Sequence, residues 1–379
     1  MKGSQISVPE RETRLAAVET TVVTARAKPA LRVRGARVVH DRSSFVLVRV
    51  TTDQGVKGFG EVSATAAWSG EDHVTATHFI RNVLGPRLVG QSLEPISRHA
   101  QEFDRVLRGN WFTKAGVNTA LWDALGRTRG VPVAQLLGGI YRDEVPVKIS
   151  LSGDGDELRR AYDAATSLGF RSFKVKVGRD PDEDVARVRL LRELAGSEAR
   201  FGVDANGGWS RPVALATVQR MLDSDIDFVE QPVHADDLAG MRDVRALGVP
   251  VVADESVYSP ADVARVVEAG AADVVSIYVG KSSGLERAVE ASRIAAQLGT
   301  DVVIGANGEM GIGAAAQIHV ACACERLGSI PCGISGHHFY ENDVTLSKPL
   351  DINGVVARLP DGPGLGIEPS DEICKEFSS

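Results

Sequence analysis

The feature that most constrains the fold is a repeat of short, apolar, β-branched runs in the second half of the chain. Consecutive runs are separated by one amphipathic stretch, such as 182–194 or 212–222, and the repeat is about 25 residues long. Strand–helix alternation at this spacing predicts parallel strands joined by crossover helices. The seven runs are 147–152, 172–178, 200–206, 228–232, 251–256, 273–279 and 301–307. With an eighth run near 330–337, they favour a TIM-type barrel over an open sheet.

The first 145 residues follow different periods. Alternation of apolar and polar residues over 15–65 predicts antiparallel strands, and three-and-four spacing of apolar residues between 73 and 138 predicts helices. The tail, 351–366, returns to Gly/Pro turns and short strands. We therefore predict an α/β protein. An α+β capping domain over 1–145 is completed by residues 346–379 packing back on it, and a (β/α)7β barrel covers 146–345.

Composition excludes several classes of partner. A formal net charge of -7 gives no basic footprint for nucleic acid. No apolar run reaches the ~18 residues of a membrane span, and no signal peptide is visible. The four cysteines are not in a metal-finger spacing and fit reduced thiols. These observations predict a cytoplasmic protein that binds neither nucleic acid nor membrane.

Two lysines share one face of the second barrel run. Because side chains alternate along a strand, Lys174 and Lys176 point one way while Phe173 and Val175 point the other. Two ammonium groups inside a buried strand require carboxylates or a bound anion as partners. For this run alone, a surface strand with solvated lysines is the alternative interpretation.

Carboxylates end three consecutive runs, at Asp204, Glu230 and Asp254. Strand ends at the C-terminal face carry the chemistry of such barrels. Like charges this close raise each other's pKa unless a cation lies between them. Oxygen-only ligands suit one hard divalent ion, Mg²⁺ first and Mn²⁺ as the alternative. Each acid alone fits a strand-end cap or an ion pair, but three in register beside two lysines predict a metal site.

Such a site suits removal of a proton from the carbon next to a substrate carboxylate, because the metal would stabilise the resulting enediolate. A lysine near a metal and a second lysine is expected to have a depressed pKa, which suits a carbon base. The predicted partner is therefore a small carboxylate substrate. The basic loop 27–41, with Arg32, Arg34, Arg37 and His40, is a candidate to meet it, and a solvated loop is the alternative. Trp68 lies in a second loop, 64–72, which is either packed or a mobile lid.

Together these motifs resemble the enolase superfamily, in its muconate-lactonizing (muconate cycloisomerase) and mandelate racemase-like family. The resemblance covers nearly the whole chain. It rests on the Lys-x-Lys run, Asp204-Ala-Asn206, Glu230-Gln-Pro232, Asp254-Glu255 and Glu309-Met-Gly-Ile-Gly313. It implies that loops 27–41 and 64–72 set substrate choice, and it favours a homo-oligomer.

The resemblance also implies a role for each matching residue. Asp204, Glu230 and Asp254 correspond to the metal ligands. Lys176 corresponds to the acid/base and Lys174 to its helper near the substrate carboxylate. The remaining matches are Asn206 and Glu255, which support the ligands from behind, and Glu309, which lines the pocket.

One position departs from the family pattern. The family usually has a lysine at the end of strand six, where this chain has Tyr278, with Lys281 three residues further on. The strand-seven histidine of mandelate racemase is also missing, since Gly305, Ala306 and Asn307 occupy that region. With an ordinary pKa near ~10, a tyrosine is a poor carbon base.

This departure bears on the reaction. A racemase needs a base on each face of the substrate, whereas a syn cycloisomerisation or a dehydration needs only one. We therefore expect a cycloisomerase-like lyase or isomerase that uses Lys176. The alternative is a hydroxy-acid or acid-sugar dehydratase assisted by Tyr278 or Glu309. A racemase or epimerase, which would need Lys281 to bend into the site, is less expected, and a non-catalytic carboxylate-binding barrel least.

Overall fold

The structure is a computed structural model that describes residues 12–341, 343 and 345–377. The parts of the predicted domains at 1–11, 342, 344, 378 and 379 lie outside the described residues. No helix in the described part of the chain combines the length and apolar character needed to cross a membrane.

The N-terminal part is an antiparallel sheet in the order β1-β4-β5, with a small hairpin of β2 and β3 beside it. Its strands are β1 (Leu15–Arg26), β2 (Val33–Arg34), β3 (Val39–His40), β4 (Arg42–Thr52) and β5 (Lys57–Val62). Its helices are α1 (Ala66–Ser69), α2 (His73–Phe79), α3 (Gly85–Leu88), α4 (Ile96–Val106), α5 (Trp111–Arg129) and α6 (Val133–Leu136), with a π-helical turn at Ile80–Leu84.

Glycines allow helix α5 to lie directly on strand β5. A Cβ at Gly58 would approach the carbonyl oxygen of Ala120 to 2.2 Å, and one at Gly60 would approach that of Gly116 to 2.0 Å. Only glycine fits at such a close approach of two backbones. This packing fixes the end of β5, and with it Glu61, against the barrel.

The predicted strand–helix repeat is confirmed as one seven-stranded parallel sheet, in the sequential order β7 to β13. After β6 (Glu144–Pro146), the strands are β7 (Ile149–Leu151), β8 (Ser172–Lys176), β9 (Arg200–Asp204), β10 (Val229–Glu230), β11 (Val251–Ala253), β12 (Val274–Ile277) and β13 (Asp301–Ile304). The helices are α7 (Asp156–Ser167), α8 (Pro181–Ala195), α9 (Arg211–Met221), α10 (Leu238–Arg245), α11 (Pro260–Glu268), α12 (Leu285–Gln297) and α13 (Gly311–Ala323). Val, Ile, Leu and Phe side chains form most of the buried core around this sheet.

The expected eighth strand near 330–337 is not a regular strand. Cys332 forms a single bridge there, and a 3-10 turn follows at Gly336–Phe339. Cys332 N donates to Pro146 O at 2.8 Å, and Gly333 N donates to Ile304 O at 2.7 Å. Pro331 has no N–H to give to a ladder, which limits regular pairing. An irregular segment therefore links the two edges of the sheet.

The described tail contacts the N-terminal part. Strand β14 (Val356–Arg358) pairs antiparallel with β6, and helix α14 (Asp371–Glu376) follows. The backbone N–H of Leu365 donates to Asp123 Oδ1 at 2.7 Å. Arg127 Nη1 donates to Glu368 Oε1 at 3.0 Å. Both Asp123 and Arg127 belong to α5, so the tail is joined to that helix.

Candidate active site

The three predicted metal-binding acids lie at one edge of the parallel sheet. Asp204 and Glu230 are the last residues of β9 and β10 and are register partners, and Asp254 follows β11 directly. Lys176 at the end of β8 is in register with Asp204. Since parallel strands end at the same edge, all four residues lie there.

Lys174 and Lys176 bind these acids through a chain of ion pairs. Lys174 Nζ lies 2.5 Å from Glu230 Oε1 and 3.0 Å from Asp204 Oδ2. Lys176 Nζ donates to the same Asp204 oxygen at 2.7 Å and to Asn206 Oδ1 at 3.1 Å. The side chains of Asp204 and Glu230 are almost completely buried. The carboxylates thus supply the partners that two lysines inside a barrel require.

Asp254 has a separate set of partners. Tyr278 Oη donates to Asp254 Oδ2 at 2.7 Å. Lys281 Nζ donates to Asp254 Oδ1 at 2.5 Å, so its ammonium is directed at this carboxylate. The phenol of Tyr278 stacks on Trp68, with ring centroids 6.2 Å apart. The residue at the strand-six position and the lysine three residues later therefore both bind Asp254.

Asn206 and Glu255 lie behind the acids. Asn206 N donates to Asp204 Oδ1 at 2.9 Å, and its Nδ2 donates to Glu255 Oε1 at 3.0 Å. Glu255 Oε2 is buried and has no hydrogen-bond partner. A buried, unpaired carboxyl oxygen is costly, so a further hydrogen-bond partner at Oε2 would stabilise the site.

The pKa shifts follow from this burial and pairing. Burial would lower the pKa of Lys174, but the carboxylates of Asp204 and Glu230 outweigh it and raise that pKa. The depressed pKa was expected for a lysine beside a bound metal ion, and that expectation stays a prediction. Burial, reinforced by Asp204 and Asp254, raises the pKa of Glu230 despite Lys174. Burial and the same two carboxylates raise the pKa of Glu255 well above its usual range.

These observations test whether a divalent cation fits. As the side chains stand, no three acidic, His or Cys groups among the described residues converge to hold a metal. Lys174 lies between Asp204 and Glu230, and Asp254 is turned to other donors. The donor set is nevertheless oxygen-only, and the buried oxygen Glu255 Oε2 behind it lacks a hydrogen-bond partner. The chemistry of these residues therefore fits a hard divalent ion such as Mg²⁺.

A cavity opens above the two lysines. It is lined by Lys174, Lys176, Asn206, Tyr278 and Asn307 from the barrel side, and by Arg37, His40 and Trp68 from the N-terminal part. Neither Lys281 nor Glu309 lines it, and no Asp or Glu among the described residues does. Burial, then the charge of Lys176, lowers the pKa of His40 to about 4. The polar part of the cavity wall thus consists of cationic side chains and neutral hydrogen-bonding side chains.

Only part of the basic loop 27–41 faces this cavity. Arg32 Nη2 pairs with Asp41 at 2.8 Å, and Arg34 Nη1 lies 3.6 Å from Glu157. Arg37 lines the cavity. The basic composition of the loop indicated an anion-binding role. It could not show that Arg32 and Arg34 pair with Asp41 and Glu157 while Arg37 faces the cavity.

Sequence reasoning assigned no role to Glu61. Its carboxylate accepts hydrogen bonds from Met310 N at 2.7 Å and Gly313 N at 2.9 Å, at the start of α13. Glu309, predicted to line the pocket, instead accepts from Asn307 N at 3.0 and 3.1 Å. Burial raises the pKa of Glu309 to about 7 and, reinforced by Asp343 and Glu309, that of Glu61 to about 8. Glu61 joins the N-terminal part to the barrel.

The raised pKa of Glu61 predicts a pH-dependent stability. The folded chain holds the proton up to about pH 8, whereas the unfolded carboxyl releases it near 4.5. This contribution is therefore complete below pH 4.5 and is lost as the pH rises through about 8. Relative to Glu61→Gln, the wild-type free energy of unfolding should fall by on the order of 5 kcal/mol across that window, measured by urea unfolding. A difference that does not change with pH would contradict the assignment.

Comparisons with known proteins agree with this geometry. Residues 17–138 match the family model "Mandelate racemase / muconate lactonizing enzyme, N-terminal domain", and residues 156–373 match "Enolase C-terminal domain-like". Muconate cycloisomerase 1 of Rhodococcus opacus is 34% identical over 340 residues, covering 88% of this chain and 91% of that protein. L-Ala-D/L-Glu epimerase of Bacillus subtilis is 33% identical over 344 residues, covering 87% and 90%.

A solved structure shows the same architecture. Muconate lactonizing enzyme from Pseudomonas fluorescens, complexed with muconolactone, superposes with a TM-score of 0.90 and 29% identity. The match covers 97% of this chain and 100% of that chain. The fold is thus an α/β TIM-type barrel with an N-terminal cap. The protein is an enzyme that belongs to the enolase superfamily, in the family of mandelate racemase and muconate lactonizing enzymes.

Proposed function

We propose that this enzyme removes a proton next to a carboxylate of a small substrate, with Lys176 as its one base and with cycloisomerase-like chemistry. The observation that carries the proposal is the distribution of amines around the cavity. Lys174 and Lys176 line it from β8, whereas the position after β12 presents the phenol of Tyr278. The Lys281 ammonium is bound to Asp254. An amine base is therefore available on one side of the substrate.

Asp204, Glu230 and Asp254 would hold the divalent ion, Mg²⁺ or alternatively Mn²⁺. Enzymes of this family generally use Mg²⁺. When bound, the ion would neutralise charge on the substrate carboxylate as the adjacent carbon loses its proton. Lys174, between Asp204 and Glu230, is placed to hold a carboxylate oxygen on the same side.

The other roles in the reaction are assigned to side chains of the protein. Lys176 takes the proton and, in a one-base reaction, returns it or passes it to the leaving group. Asn206 accepts from Lys176 Nζ and orients it. Tyr278 carries a proton that it donates to Asp254 Oδ2, so it acts as a hydrogen-bond donor. Arg37 and His40 would contact the part of the substrate furthest from the barrel floor.

Dehydration of a hydroxy acid or acid sugar is the second candidate. It is favoured by the phenol of Tyr278 in the cavity wall, opposite the lysine pair, where it could assist the departure of hydroxide. Racemisation or epimerisation, the activity named for the Bacillus relative, would need a second base in place of Tyr278. We therefore rank it third, with a non-catalytic barrel last.

One experiment separates these reactions. The enzyme with Mg²⁺ is incubated in D₂O with a muconate panel, an acid-sugar panel and an N-acyl amino acid and dipeptide panel, and followed by NMR. Lactone formation supports the proposal, and a 2-keto acid trapped by semicarbazide supports dehydration. Inversion at the α-carbon would contradict the one-base proposal. A sample stripped with EDTA is the control and should be inactive.

We also propose that the barrel is of the full (β/α)7β type. The hydrogen bonds of Cys332 to Pro146 and of Gly333 to Ile304 support this, because they join the first and last parts of the sheet. The domain boundaries 1–145 and 146–345, the cytoplasmic location and the homo-oligomer stay predictions.

A further inference from the structure

Lys281 is a fully buried cation with a complete set of acceptors. Its side chain and that of Asp254 are both 0% exposed. Nζ donates to Asp254 Oδ1 at 2.5 Å, to Asp254 O at 2.7 Å and to Ser276 O at 3.1 Å. An ammonium has three N–H groups, and each has an acceptor here. The group is therefore fixed in place.

Aromatic rings close the site around this ammonium. Nζ lies 4.1 Å from the ring centroid of Tyr278 and 5.8 Å from that of Tyr258, within the range of cation–π attraction. Tyr278 also donates to Asp254 Oδ2 at 2.7 Å. Both oxygens of Asp254 thus have a donor before any metal binds. Removing either the Lys281 ammonium or the Asp254 carboxylate would leave the other charge buried and uncompensated.

In this arrangement Lys281 competes with the divalent ion for the charge of Asp254. Asp254 carries one negative charge, and under the proposed function that charge also holds the metal. The Lys281 ammonium, 2.5 Å from Asp254 Oδ1, weakens the attraction of this carboxylate for the divalent ion and also repels that ion. The same cation pairs with the buried carboxylate and fixes its orientation while the metal is absent.

We infer that Lys281 is a positioning residue, the resident counter-ion of Asp254, which holds the metal-free site in place and weakens its affinity for the divalent ion. The inference rests on the proposed function, because it takes Asp254 as a metal ligand. It assigns Lys281 no contact with substrate. If Lys281 had a merely structural role, its removal would destabilise the fold and leave metal affinity unchanged or weaker.

The test is Lys281→Met, with Mn²⁺ binding measured by calorimetry or electron paramagnetic resonance and Tm measured with and without Mn²⁺. We expect the variant to bind Mn²⁺ at least about fivefold more tightly than wild type, because the competing charge is gone. Its metal-free Tm should fall by several degrees, and saturating Mn²⁺ should restore most of the loss.

The matched control is Lys114→Met. Lys114 is also a buried lysine paired with a carboxylate, since its Nζ lies 2.8 Å from Asp104 Oδ1 and its side chain is 4% exposed. Its loss should lower Tm with no change in Mn²⁺ affinity, so Mn²⁺ should raise its Tm only as much as it raises that of the wild type. Lys281→Gln, which keeps a donor and removes the charge, is the second variant and should shift affinity in the same direction as Lys281→Met.

The outcomes are distinguishable. Equal or weaker Mn²⁺ binding by folded Lys281→Met or Lys281→Gln would overturn the inference and leave the proposed function standing. If neither variant folds even in saturating Mn²⁺, the ion has failed to replace the ammonium, which also overturns it. Wild-type protein that does not bind Mn²⁺ at all would instead refute the proposed metal site.

Discussion

Lys176→Ala is expected to lower kcat by about 10³- to 10⁴-fold, the contribution typical of a positioned base. Lys176 ends strand β8, lines the cavity and is held by Asp204 at 2.7 Å and Asn206 at 3.1 Å. Alanine removes the amine without filling the cavity. The measurement is turnover, and solvent deuterium entering the α-carbon, with whichever acid of the panels proves to be a substrate. Mn²⁺ binding should persist, since all three acids remain.

Tyr278→Phe is the comparison for this result. It removes one hydrogen bond, from Oη to Asp254 Oδ2, and keeps the ring that stacks on Trp68. The loss in kcat should therefore be smaller than that of Lys176→Ala. If Tyr278→Phe is the more damaging change, or if Lys176→Ala keeps full turnover, the single-lysine mechanism is wrong.

Glu230→Gln is expected to weaken Mn²⁺ binding by at least about 100-fold, on the order of 2.7 kcal/mol, and to abolish turnover. Glu230 is buried at the end of β10, and the substitution replaces a charged oxygen ligand with a neutral amide of the same shape. Hard divalent ions depend on such charge. Lys174, 2.5 Å from Oε1, would also lose a counter-charge and repel the ion more strongly. Isothermal titration with Mn²⁺ measures the effect.

Glu286→Gln is the matched control, because Glu286 also accepts two hydrogen bonds away from the strand ends. Its Oε1 accepts from Asn118 Nδ2 at 3.0 Å, and its Oε2 accepts from Trp122 Nε1 at 2.6 Å. This variant should bind Mn²⁺ as wild type does. Unchanged affinity in Glu230→Gln would remove Glu230 from the ligand set.

Local periodicity was enough to predict the parallel sheet and the grouping of its charged residues. Lys174, Lys176 and Asp204 meet because side chains alternate along a strand and parallel strands end at one edge. Those rules require no knowledge of loop conformation. The expected eighth strand is reduced to a single bridge at Cys332, because its pairing depends on residues almost 190 positions apart in the chain, such as Pro146 and Cys332.

Side chains in loops were harder to place. Tyr278 was predicted at the end of strand six and does line the cavity, but the direction of Lys281 depends on how the following turn packs. Glu309 turns to Asn307 N, since that donor lies within its own loop. Glu61 could not be placed, because its donors follow it by about 250 residues. The assigned roles of these residues stay predictions.

The contacts between residues 61–63 and the loop that follows strand β13 have a practical consequence for enzyme redesign. Asn307 Nδ2 donates to Ser63 O at 2.7 Å, Ser63 Oγ donates to Asn307 O at 3.0 Å, and Glu61 caps α13 from the same strand end. A selectivity segment transplanted from a relative would lose these attachments unless residues 307–313 came with it. Both segments should therefore be exchanged together. In a chimaera that exchanges only one of them, we expect the N-terminal side of the cavity to be held less firmly against the barrel.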